Sequence, residues 1–216
     1  MVQNYIRRLF WLILGVAVSS VGIAMMLQAS VGLEPWSVLQ QGMSLRTGMT
    51  YGTASAIAGA AAILTAVLFG ESFGLGTIIN IAGCAVIIDA IQAAHLIPQI
   101  HGLVSGIAML IGGLELLALG TWLYMKSALG SGPRDALMVA LARKFGRSAG
   151  ACRAVVDVLV TVIGFFLGGP VGVGTIISAV GLGPLINLNF SAVQFKPAKV
   201  HQENAAETIA KIAGKR

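Results

Sequence analysis

Three acidic residues stand inside long apolar stretches of this sequence: Asp89, Glu115 and Asp157. A carboxyl group in a membrane interior is costly to ionise, so by default it marks a proton relay or an ion path. Asp157 follows Arg153 by one helical turn, and an internal ion pair on that face would neutralise it. Asp89 lies roughly 9 Å from the end of its stretch at 1.5 Å per helical residue, within reach of interfacial water. Glu115 sits near the middle of its stretch beside Ile111, Gly112, Ala118 and Leu119, with no local partner. It is the first candidate to carry a proton during transport, ahead of Asp157 and Asp89; the competing role is a structural hydrogen bond across helices.

A second group of candidates opens two short segments, VGLEPWSVLQQGM and LGSGPRDALMVAL. Proline suits the first helical turn, where its missing N–H would be unpaired anyway. A helix N-terminus favours negative charge, and Arg134 adds a guanidinium. Pro35, Trp36 and Ser37 in one segment and Ser131, Arg134 and Asp135 in the other are therefore candidates to bind a small polar or anionic solute. The alternative is a plain interfacial turn in which Arg134 only sets orientation. The stretches GLGTIIN and GVGTIIS add Thr77, Asn80, Thr175 and Ser178. These are either helix caps beside glycines that pack closely at spacing four, Gly70 with Gly74 and Gly168 with Gly172, or polar groups reaching a shared centre from two sides.

Other chemistries find little support. Cys84 and Cys152 fall within apolar stretches as small fillers. His95 and His101 lack a third ligand, so neither a metal nor any other cofactor is expected. No nucleophile stands with a nearby base, which argues against an enzyme.

The elements that position these residues follow from composition. With 56% hydrophobic and only 10% charged residues and a mean hydropathy of +0.88, the chain is unlike a water-soluble domain, where charge approaches about a quarter. At about 20 residues per span, six spans are predicted, at 10–29, 52–69, 76–94, 102–125, 150–169 and 172–190. The net charge of +6 reads as topology rather than nucleic-acid binding. Arg7 and Arg8, then Lys126, Arg134, Arg143, Lys144 and Arg147, then Lys196, Lys199, Lys211, Lys215 and Arg216 fall on one side, while the other carries Arg46. Both termini are expected in the cytoplasm. Trp11, Trp36, Trp122 and Tyr124 lie near span ends and read as interfacial aromatics, with Trp36 held apart because it opens a short segment.

Adding 98 to a residue number superimposes the halves: Gly15, Gly22, Gly32, Pro35, Gly48, Gly74, Gly76 and Thr77 meet Gly113, Gly120, Gly130, Pro133, Gly146, Gly172, Gly174 and Thr175. Of the 11 glycines in 12–83, 9 fall on a glycine of 110–181, where chance would place about two, so the chain carries an internal duplication. Trp36 meets Arg134. Each half holds three spans, an odd number, so the second enters the membrane from the opposite side, as in secondary transporters. The expected fold is all-α: six spans as a 3+3 inverted repeat, with a short interfacial or re-entrant helix in each repeat. Residues 1–9 form a cytoplasmic N-terminus, 10–98 the first repeat, 99–190 the second, and 191–216 a cytoplasmic tail expected to be mobile and dispensable, with a weak helix over NAAETIAKIAGKR.

The paired patterns GLEPWSVLQQGMSLRTGMTYG with GLGTIIN and GSGPRDALMVALARKFGRSAG with GVGTIIS resemble the YczE/YyaS/YitT group of small bacterial membrane proteins, most closely its YczE-like branch. The resemblance covers roughly residues 10–190. It implies a multi-pass protein of the bacterial cytoplasmic membrane and carries over no binding residues. The expected function is a secondary transporter or exporter, proton-coupled in one form, of a small polar or anionic metabolite. The alternatives are the substrate-binding subunit of an energy-coupling-factor importer and a non-transporting scaffold or assembly factor. Expected partners are membrane lipid and a small-molecule solute, with no nucleic acid; a homodimer is kept open.

Overall fold

The computed structural model describes residues 2–196, 200 and 202–212, with no strand among them. The helices run α1 (Val2–Gln28), α2 (Pro35–Thr47), α3 (Tyr51–Leu68), α4 (Leu75–Ala93), α5 (Leu103–Lys126), α6 (Pro133–Phe145), α7 (Ala149–Phe166), α8 (Val173–Ala192) and α9 (Ala205–Ile212). Six segments are long and apolar enough to cross a membrane: Tyr5–Gln28 within α1, and α3, α4, α5, α7 and α8. They match the predicted spans to within a few residues, except that the first starts earlier because its helix continues through Arg7 and Arg8. Val104, Phe166 and Leu68 are among many large apolar side chains left exposed, as lipid-facing surface would be.

Helix boundaries repeat with the sequence. α2 and α6 each begin on a proline and end on a glycine in the left-handed region, Gly48 at φ 77° and Gly146 at φ 62°, where a side chain would be strained. Thr50 caps α3 by accepting the Thr53 N–H at 3.1 Å, and Ser148 caps α7 by accepting the Ala151 N–H at 3.2 Å. Gly70 and Gly168 sit in turns with positive φ, 82° and 97°, so backbone conformation rather than helix packing explains that pair of glycines.

α1 and α5 pack along each other in opposite directions. Gly15 lies against Gly120 and Gly22 against Gly113, so tightly that a Cβ on any of the four would strike the facing helix. Because Gly113 and Gly120 are the repeat mates of Gly15 and Gly22, each glycine packs on the mate of the other. The connections follow the same exchange: the Leu129 carbonyl accepts the Gly76 N–H at 2.8 Å, and the Val31 carbonyl accepts the Gly174 N–H at 2.7 Å. α2 packs on α7 and α6 on α3, so each short helix is held by a long helix of the other half. α2 is buried over its first turn, Pro35 to Val38, and α6 from Ala136 to Met138, and both are exposed near their ends, at Leu45 and Phe145.

One relation is not repeated. α3 lies along α4, with Gly59 against Ile81 and the Gly52 N–H donated to Asp89 Oδ1 at 2.7 Å. α7 does not lie along α8 in the same way, and open space surrounds Gly150, Gly181 and Gly183.

The expectation of a mobile tail fails for its described residues. The carbonyls at the end of α5 have no helical partners, and Arg8 donates to those of Ser127 and Ala128, both at 2.6 Å. Gln202 Nε2 donates to the Met125 carbonyl at 3.0 Å, and the Glu203 and Ala205 N–H groups donate to Ala128 and Phe73. Glu203 is buried and accepts from Arg8 at 2.7 Å, Lys211 at 2.9 Å and Tyr5 at 3.0 Å. Burial alone would raise its pKa, but these donors outweigh it and hold the carboxyl down at about 2. Lys199, Lys215 and Arg216 lie outside the described residues.

Candidate functional site

The residue before a proline is pushed to extended backbone, and Glu34 accordingly sits at φ −65°, ψ 153° ahead of Pro35. Its carboxylate does not cap α2. Instead Oε1 accepts from Arg134 Nη1 at 2.7 Å and from Ser37 Oγ at 3.0 Å. Ser37 Oγ lies 2.8 Å from the Tyr51 hydroxyl, which donates to Gln40 Oε1 at 2.6 Å. Glu34, Ser37, Gln40 and Tyr51 are all buried, so this row meets the rule that buried polar groups find partners.

Arg134 also stacks on Trp36, its repeat mate, with Cζ 5.2 Å from a ring centroid. Trp36 Nε1 donates to Asp157 Oδ1 at 3.1 Å, and Asp157 Oδ2 meets Arg153 Nε at 3.5 Å. On the other side, the Tyr124 hydroxyl donates to Asp135 Oδ2 at 2.5 Å. Trp36, Asn80, Tyr124, Arg134, Asp135 and Asp157 line one partly open cavity of about 110 Å³, together with the polar Ser19, Gln40, Ser55 and Thr121 and with apolar side chains such as Ile23, Met138 and Leu182. A single water needs about 10–15 Å³ on this measure, so the cavity suits a small solute.

The site thus gathers six expected residues, Pro35, Trp36, Ser37, Arg134, Asp135 and Asp157, around or just behind one cavity, and Asn80 reaches it from α4. The rest are elsewhere. Thr77 accepts the Gly74 N–H at 3.4 Å and donates to the Ser131 carbonyl at 2.5 Å, while Thr175 accepts the Gly172 N–H at 3.1 Å. Both are caps. Ser178 donates to the Gly174 carbonyl of its own helix at 2.7 Å, so Asn80 and Ser178 do not converge. Asp89 holds the first turn of α3 through Gly52, a favourable place for a carboxylate.

Glu115 does not lack a partner, because Asn189 on α8 donates to its Oε1 at 2.9 Å. The sequence view missed it because the partner is distant in the chain. Arg134 is not simply an anion receptor at a helix start, since one of its nitrogens already serves Glu34. Trp36 and Tyr124 are buried rather than interfacial, whereas Trp11 and Trp122 flank Lys126, whose Nζ is 4.1 and 5.1 Å from their rings. Glu34, Gln40, Tyr51 and Tyr124 were not among the expected site residues. Glu34 left a readable signal, an acid fixed before a proline in apolar surroundings.

Comparison with known proteins agrees with the membrane reading. An uncharacterized protein of Haemophilus influenzae is 31% identical over 186 residues, covering 86% of this chain and 84% of its own. The uncharacterized membrane protein YczE of Bacillus subtilis is 25% identical over 209 residues, covering 95% and 96%. The uncharacterized protein YyaS of the same organism is 25% identical over 185 residues, covering 84% and 91%. No solved structure matches the chain. Through residues 6–190, which match the model of a family of unknown function, DUF6198, this helical membrane protein belongs to that family.

Proposed function

We propose that the chain is a secondary transporter of a small polar or anionic metabolite in the bacterial cytoplasmic membrane, built as two inverted repeats with both termini cytoplasmic, and not an enzyme. The exchanged glycine contacts of α1 and α5 support inversion, since repeat mates that pack on one another in opposite directions are what a two-fold axis in the membrane plane produces. α2 and α6 then read as re-entrant helices, whose starting backbone is tolerated at depth because it is buried in protein beside a cavity. In this reading Asp157, which lines the cavity, is the foremost proton-coupling candidate, ahead of Glu115 and Asp89.

The observation that carries the proposal is the one relation the repeat does not keep. α3 and α4 are closed against each other on one side of the cavity, while α7 and α8 stand apart on the other. Two halves of one sequence plan held in two arrangements make an alternating-access pair: exchanging their arrangements closes α7 on α8 and opens α3 from α4. With the termini in the cytoplasm, the present state faces inward. The mate of the Gly52–Asp89 contact is Gly150 with Asn187, and the Gly150 N–H would meet the Asn187 side chain in the outward state.

The test is counterflow. Proteoliposomes loaded with an unlabelled bacterial metabolite extract should enrich at least one solute from an isotope-labelled extract outside, and oxidation of a Gly150→Cys/Asn187→Cys pair should stop that exchange until thiols are restored. Absence of protein-dependent enrichment would sink the transporter reading. Exchange that survives complete crosslinking would remove the two-arrangement account.

A further inference from the structure

Resting on the transporter reading, we infer that the cavity solute is a zwitterion carrying both a carboxylate and an ammonium group, an apolar α-amino acid or a close analogue. Arg134 has five N–H donors by its chemistry, and its single described protein hydrogen bond uses one, to Glu34. Arg134 is part of the cavity wall and its side chain is partly exposed, which leaves donors to grip a carboxylate. Asp135, the next residue, lines the same wall and receives the Tyr124 hydroxyl, with no cation paired to it among the described residues. It is the natural acceptor for an ammonium.

Charge decides against the simpler alternatives. Around the cavity stand the carboxylates of Glu34, Asp135 and Asp157 and the guanidinium groups of Arg134 and Arg153, an excess of one negative charge if all are ionised. A bare anion would add to that excess in a medium that screens poorly. A zwitterion adds no net charge and satisfies both unspent groups. An amine alone would leave the Arg134 edge unanswered. The remaining wall is mixed, with Ser19, Gln40, Ser55 and Thr121 among the polar residues, but its apolar part, with Ile23, Leu117, Met138, Leu182 and Ile186, suits a small aliphatic side chain, and the volume admits a ligand of roughly eight non-hydrogen atoms by the water measure above.

L-Valine has that size, and removing either end gives isobutylamine or isovalerate. Binding of all three to the purified full-length protein in nanodiscs, followed by calorimetry, separates the classes without any mutation. L-Valine should saturate, with both single-ended analogues weaker by about a hundredfold, because each leaves a polar group of the site unpaired. Asp135→Asn, checked for unaltered melting, should weaken valine by about tenfold or more while leaving isovalerate unchanged. Equal or tighter binding of isovalerate would make this an anion site, and of isobutylamine an amine site; either overturns the proposal. So does silence from valine and from a mixture of apolar amino acids, and solute exchange persisting in counterflow would then leave the transporter reading standing alone.

Discussion

Glu34 and Arg134 are expected to be energetically coupled, and unequally so. Arg134→Gln strands a carboxylate whose side chain is 2% exposed and which, among the described residues, keeps only the Ser37 hydroxyl as side-chain donor. Glu34→Gln strands an arginine whose side chain is 27% exposed and remains stacked on Trp36. Breaking a buried ion pair from one side costs about 3–5 kcal/mol. The carboxylate, with no route to water, should cost an amount within that range. Arg134 lines the cavity with a partly exposed side chain that can rehydrate there, so the cost should be nearer 2 kcal/mol. In the double variant neither charge is left behind. Its cost should therefore fall short of the sum of the single costs by about 2 kcal/mol, roughly a thirtyfold difference in equilibrium constant. Equilibrium unfolding in mixed micelles, for wild type, both single variants and the double, gives the cycle. Additivity within about 0.5 kcal/mol, or a larger loss from Glu34→Gln than from Arg134→Gln, would refute the contact as the stabilising centre of the site.

A cysteine introduced at Thr50 should react with an impermeant reagent from outside, and one at Ser148 only from the cytoplasm; labelling of both from one side would remove the inverted repeat. Glu115→Gln should keep transport and its pH dependence, since the amide can still meet Asn189, whereas Asp157→Asn should weaken coupling to a pH gradient; loss of pH-driven flux in Glu115→Gln would return Glu115 to the proton path. Because the folded pKa of Glu203 is depressed to about 2 from the usual 4.5, its contribution to tail docking is complete above about 4.5 and fades as pH falls toward 2. Glu203→Gln at neutral pH should accordingly speed amide exchange at Ala205, and unchanged protection there would show that its ion pairs do not hold the tail.

Much of the frame was legible in the sequence because frames are built from repeated, local rules. Apolar length located six spans, Pro35 and Pro133 located the short helix starts, and Thr77 and Thr175 stood at capping distance from their glycines. The site was legible only in part. Alignment of the halves singled out Trp36 and Arg134 as counterparts, and they do meet. It gave no means of pairing Arg134 with Glu34, Glu115 with Asn189 or Tyr124 with Asp135, which are tertiary contacts without a helical period behind them. The helix of the tail was legible in NAAETIAKIAGKR, but its docking was not: polar composition signals solvation, yet here Gln202 and Glu203 supply partners that the end of α5 and Arg8 lack by themselves.

The division between frame and site has a physical cause. Positions that the halves share, such as Gly15 with Gly113, Gly22 with Gly120 and Thr77 with Thr175, do the same work twice, closing helix seams and starting helices. Positions at which the halves differ hold the polar cluster: Glu34 against Gly132, Trp36 against Arg134, Tyr51 against Ala149 and Asp157 against Gly59. Near a two-fold axis, identical charged residues would face their own copies, and like charges in a poorly screening interior repel. Under the proposed inverted repeat, a complementary pair such as Glu34 and Arg134 beside the axis requires the two copies to diverge there. Such divergence is met at the cavity, where Trp36 stacks with its mate Arg134 while the neighbouring Pro35 and Pro133 stay matched.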